Sequence, residues 1–114
     1  MEKKQFQNKA GQQVYYLRWS APAPRATVVI AHGMVEHPAR YNDLAVFLNE
    51  HRIAVYGITH IGHGPDAARL NHMGPGDFDR CVEHMHLLVQ LAAAETGAPV
   101  ILLGHSMGSF LSQL

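Results

Sequence analysis

The chain has 114 residues, nine basic and nine acidic side chains, nine histidines, one cysteine and 47% hydrophobic residues. That length bounds it to one domain at most and suffices to bury a core, while zero formal charge argues against a nucleic-acid binder, which would carry a basic stripe. A lone Cys81 rules out a disulfide framework and fits a reducing, cytoplasmic setting; the basic start has no apolar run behind it, so it is not a secretory signal, and nothing is long and apolar enough to span a membrane.

In chain order, Lys4–Gln7, a turn at Asn8 to Gly11, and Gln13–Trp19 read as a hairpin, with Val14, Tyr15, Tyr16 and Trp19 as strand formers. Ser20 to Pro24 breaks the second strand. Thr27–Ala31 is a short continuous apolar run, the pattern of a strand buried on both faces. Tyr41, Leu44, Ala45 and Leu48 recur at helical spacing and predict a helix over about Arg40–His51. Ile53–Ile58 is the next buried strand. Thr59 to Gly76 holds four glycines and two prolines, counting Gly76, and reads as a long loop of the kind that often carries function.

Phe78, Val82, Met85, Val89 and Ala92 form a second helical stripe, with Asp77 placed to cap its start, Gly97 to end it and Pro99 to forbid continuation. Val100–Leu103 is a third buried strand, and from Gly104 the chain turns into a helix running to Leu114. Alternating strands and helices predict an α/β fold: a mostly parallel sheet with helices on both faces, preceded by an antiparallel hairpin.

Gly104-His105-Ser106-Met107-Gly108 matches the Gly-x-Ser-x-Gly nucleophile elbow, with the required strand before it and helix after it. A sharp strand-to-helix turn lifts the Ser106 hydroxyl clear of the sheet and aims the next amide N–H at the same space. The flanking glycines leave room for close helix–strand packing. The bland alternative is a tight turn that happens to hold a serine, and the strand–turn–helix context argues against it. A second element, His32-Gly33-Met34, follows the Thr27–Ala31 strand, where acyl-transfer enzymes of this architecture place the other oxyanion donor.

Together with Val35-Glu36-His37, Arg40-Tyr41 and Gly62-His63-Gly64, these motifs resemble the monoacylglycerol lipase and lysophospholipase branch of the α/β-hydrolases, over about Gln13 to Leu114. The resemblance implies Ser106 as nucleophile, the backbone N–H groups of Met34 and Met107 as oxyanion hole, and support from His32, Gly33, Gly104, His105 and Gly108. It implies a lipid-like acyl ester as substrate, no metal or organic cofactor, and peripheral membrane contact through a lid not contained in these residues. The sequence departs from the family pattern at Thr59, where an aspartate is usual, at Asp66, where a serine is usual, and at Arg52, where glycine is common. A left-handed helix cap at Arg52 would cost about 1 kcal/mol.

The triad order on this fold is Ser, then Asp or Glu, then His. None of the residues from Met107 to Leu114 is acidic or histidine. Glu36, Asp43, Asp66 and Asp77 precede the serine and read as surface or capping groups. The expectation is therefore the N-terminal portion of a single hydrolase domain of roughly 250–300 residues, inactive alone and needing the remainder of the hydrolase, with Val100–Leu103 left as an exposed apolar edge. An S33-type aminopeptidase and a non-catalytic binding fragment are the alternatives.

The histidines admit a metal reading through His60-x-x-His63-x-x-Asp66 with His72 or Asp77, but nothing in the spacing supplies a full zinc ligand set. His84 and His86 are two apart on a helix, so they point to different faces. The bland role of His32, His37, His60, His63 and His105 is hydrogen bonding to loop backbone, and that of Cys81 is core packing.

Overall fold

The computed structural model describes residues 1–33, 37–61, 76–105, 108 and 112–113. Strands β1 (Glu2–Gln7) and β2 (Gln13–Trp19) form the hairpin, followed by β3 (Ala26–Ala31), a 3-10 turn (Pro38–Tyr41), α1 (Asn42–Glu50), β4 (Ile53–Ile58), α2 (Asp77–Thr96) and β5 (Val100–Gly104). The five strands lie in the order β1-β2-β4-β3-β5. β3 pairs in parallel with β4 and β5, while β2 pairs antiparallel with β1 and β4. The sheet is thus mixed, its parallel part confined to β4, β3 and β5.

The apolar runs explain the layering. Every residue of β3 and β4 after the first is buried, and their side chains alternate between two cores. Val29, Ala31, Ala54, Tyr56 and Ile58 pack with Cys81, Met85, Leu88 and Ala92 of α2. Val28, Ile30 and Val55 pack with Ala45 of α1 and with Leu17 and Trp19. Helices therefore cover both faces. β5 has only β3 beside it among the described residues, and Ile101 and Leu103 are exposed, the apolar edge expected from the sequence.

Three local expectations change. β1 begins at Glu2, two residues before the hydrophobic pattern does, because Glu2 lies opposite Arg18 and the two side chains pair at 2.9 Å. The first helix opens as a 3-10 turn, with Pro38 in its first turn and the His37 Nδ1 accepting from the Ala39 N–H at 3.2 Å. Asp77 is not the cap of α2. Gly76 holds that position in a left-handed conformation, φ 80°, leaving Asp77 as the first helical residue, where its charge favours the helix dipole and pairs with Arg80 at 2.7 Å. From the elbow onward, Gly108 and Ser112 are helical; residues 109–111 and Leu114 of the expected helix lie outside the described residues, as does the Phe78 side chain.

Arg52 adopts φ 61°, the left-handed conformation in which glycine would be at ease. Its guanidinium Nε and Nη2 donate to the Ala23 carbonyl at 3.2 and 2.8 Å, and its own carbonyl accepts from the Arg25 N–H at 2.9 Å. The strained residue therefore also ties the connection before β3 to the end of α1. Alanine at this position keeps the strain and loses the side-chain bonds, whereas glycine loses the bonds and releases the strain. Arg52→Gly is expected to be more stable than Arg52→Ala by about 1 kcal/mol in urea titration; equal midpoints would refute backbone strain here.

Candidate active site

Because β3, β4 and β5 run parallel, their C-terminal ends meet at one edge of the sheet, where open α/β sheets place their ligands. Two of these ends carry the motifs. Ala31 and Gly104 are register partners, the His105 N–H donates to the Ala31 carbonyl at 3.1 Å, and the Gly108 N–H closes the elbow turn on the His105 carbonyl at 3.0 Å. Gly108 is buried so tightly against the end of β3 that a Cβ there would lie 2.6 Å from the His32 carbonyl oxygen and overlap the Ala31 carbonyl. The elbow and the His-Gly element are thus in direct backbone contact.

The third strand end braces the second. His32 is fully buried. The His60 backbone N–H donates to His32 Nε2 at 3.0 Å, so that nitrogen carries no proton; Nδ1 holds it and donates to the Gly33 carbonyl at 2.7 Å. In return His60 Nε2–H donates to the His32 carbonyl at 2.9 Å, and the rings lie 4.1 Å apart, centroid to centroid. Each tautomer is thereby fixed by backbone groups. The two histidines act as hydrogen-bonding struts of the loops, as expected, although nothing in the sequence indicated that they bond each other. The signal available was their place, each just past the end of a buried strand.

Of the expected site residues, His32, Gly33, Gly104, His105 and Gly108 are brought together. Met34, Ser106 and Met107, assigned as oxyanion donors and nucleophile, lie outside the described residues, as do His63, Asp66 and His72 of the metal reading. The remaining members of that reading are engaged otherwise: His60 with His32, and Asp77 with Arg80. His84 and His86 do point to different faces, His84 buried and His86 exposed. Cys81 sits in the core, and burial pushes its thiol up to about 11, so it offers no thiolate near neutral pH. Among the described residues no helix is long and apolar enough to cross a membrane.

The chain is similar to known hydrolases along nearly all its length. It is 36% identical over 105 residues to a monoacylglycerol lipase of Mycolicibacterium smegmatis, covering 90% of this chain and 37% of that protein. It is 33% identical over 109 residues to the monoglyceride lipase of Homo sapiens, covering 94% and 35%. The chain therefore spans little more than a third of these relatives' length. Among solved structures, a thermostable carboxyl esterase from Bacillus coagulans in complex with glycerol superimposes with a TM-score of 0.81 at 26% identity, over 98% of this chain and 38% of the esterase. A lipase in its open form, with a TM-score of 0.83 at 24% identity, shares the fold over 98% of this chain and 38% of its own. Residues 22–114 match the family model described as serine aminopeptidase, S33, and the chain belongs to that family of α/β-hydrolases.

Proposed function

We propose that these residues carry the nucleophile and oxyanion half of a serine hydrolase acting on carboxylic esters, with monoacylglycerols or lysophospholipids as substrate class. The observation that supports this reading is the seating of Gly108 on the Ala31–His32 carbonyls, which brings the two described ends of the Gly-x-Ser-x-Gly motif, His105 and Gly108, against the end of β3 that carries His32 and Gly33. The names of the lipase relatives support the ester class.

In this scheme the Ser106 hydroxyl oxygen attacks the acyl carbonyl carbon while its proton passes to a general base. The Met34 and Met107 amides hold the oxyanion as it forms. Collapse breaks the ester C–O bond, and the alcohol leaves with the proton from the base. Water, deprotonated by the same base, then hydrolyses the acyl-enzyme to a fatty acid and free serine. No metal enters any step. The base and its acid come from sequence outside these 114 residues, since none of Met107 to Leu114 can serve.

Two measurements test the reading. The 114-residue chain alone is expected to show no measurable turnover of a p-nitrophenyl ester; turnover that Ser106→Ala abolishes in the same chain would overturn the missing base. A longer hydrolase containing this segment is expected to be labelled by a fluorophosphonate at Ser106 and to prefer acylglycerols over amino-acid anilides. A preference for anilides would favour the peptidase suggested by the family's description, and a folded protein that resists labelling would favour a non-catalytic binding fragment.

A further inference from the structure

Among the described residues, the turn between β1 and β2 is held onto α2 by a buried pair on the face of the sheet that α2 covers. Asn8 and His84 are 7% and 4% exposed, and Asn8 Nδ2 lies 3.0 Å from His84 Nε2. The orientation of the Asn8 amide is not free. Its Oδ1 accepts the backbone N–H groups of Ala10 and Gln12 at 3.0 and 2.9 Å, so its NH2 must be the group that faces the imidazole. That NH2 also donates to Gln12 Oε1 at 2.9 Å. His84 Nε2 is therefore an acceptor, and the docked ring is neutral with its proton on Nδ1.

We propose that Asn8 and His84 form a proton-operated latch: protonation of His84 turns its acceptor into a donor facing a donor and releases the β1–β2 turn from α2. Flipping the Asn8 amide does not rescue the contact, because rotating it to present its oxygen would break both backbone bonds that shape the turn. The charged groups acting on the ring from α2 are Glu83 and Asp77, which favour its charged form, and Arg80, which opposes it. The turn contributes neutral Asn8 and Gln12, and its one charged residue, Lys9, is exposed. The strand residues packed on α2 are apolar apart from the phenols of Tyr16 and Tyr56, the Thr27 hydroxyl bonded to Thr96, and Arg18, whose charge is paired with Glu95 near the far end of the helix.

Burial outweighs these charges and pushes the His84 imidazole below its ordinary range. The sign follows from linkage. Above the pKa of the released ring both states are neutral and docking is at full strength. As pH falls toward the lower pKa of the docked ring, the released state takes up the proton first and docking is lost.

Long-range nitrogen spectra and amide exchange on the intact, isotope-labelled chain test the latch. At about pH 7.5 the His84 Nε2 is expected to resonate as an unprotonated nitrogen, and the ring to titrate below the ordinary imidazole range. On lowering the pH to about 5, protection factors of the Ala10 and Gln12 amides are expected to fall about tenfold, with β3 and β4 amides unchanged. In His84→Gln, which keeps an acceptor and cannot titrate, that fall is expected to vanish. A protonated Nε2 at neutral pH, constant Ala10 and Gln12 protection, or a loss shared equally by β3 and β4 would each overturn the latch. So would an unchanged pH response in His84→Gln; should that variant fail to fold, the wild-type readings decide alone.

Discussion

Gly108→Ala is expected to cost the folded chain about 3 kcal/mol or more, read as a drop in the urea midpoint. The reason is space, not backbone conformation. The added methyl would meet the Ala31 carbonyl and lie 2.6 Å from the His32 oxygen. Neither obstacle can swing aside as a side chain would. Ala31 is the last residue of β3, paired with Ile58 on one side and Gly104 on the other. The elbow must move instead, pulling against the His105–Ala31 bond that docks it. Gly97→Ala provides the contrast. Gly97 has φ 64° with no atom within 4 Å of a Cβ, so alanine there meets only conformational strain, about 1 kcal/mol. Equal losses from the two substitutions would refute the close seating of the elbow on β3.

That contrast also marks what was legible in the sequence. Gly97 and Pro99 announce a helix end locally, and the left-handed φ at Gly97 follows. The unbroken apolar runs of β3 and β4 announce strands covered on both faces, and the structure buries them so. The Gly-x-Ser-x-Gly motif is visible because it occupies five consecutive residues, of which the structure describes Gly104, His105 and Gly108. Long-range contacts were not readable. Nothing local tells β2 to pair with β4 instead of β3, or Asn8 to meet a histidine 76 residues away. The start of β1 is fixed by an ion pair to the opposite strand, invisible to a hydrophobic pattern. At α2 an aspartate in the right place lost the cap to the preceding glycine, because a left-handed Gly76 already turns the chain into the helix. At the candidate site, the motifs mark two strand ends in the sequence, whereas the bonds between His32 and His60 depend on two rings that the parallel sheet brings together.

His32→Leu is expected to be the second large loss, about 2–4 kcal/mol in the same titration. Leucine approximates the volume of the ring, so cavity formation contributes little and the cost is polar. The substitution strips the buried His60 N–H of its acceptor and the Gly33 carbonyl of its Nδ1–H donor. Among the described contacts, His60→Leu removes the side-chain donor to the His32 carbonyl and the ring contact, while leaving both bonds made by the His32 ring in place. It is therefore expected to cost less, by about 1–2 kcal/mol. The order matters for the proposed chemistry, since the residue after Gly33 is the one assigned to hold the oxyanion. If the His32 ring positions that turn, His32→Leu should raise the amide exchange of the 32–33 segment in the isolated chain. In a longer active hydrolase the same substitution should lower kcat more than it raises KM, because an oxyanion donor acts in the transition state and not in substrate binding. Equal stability losses for the two variants, with no change in exchange at residues 32–33, would reduce His32 to ordinary core packing.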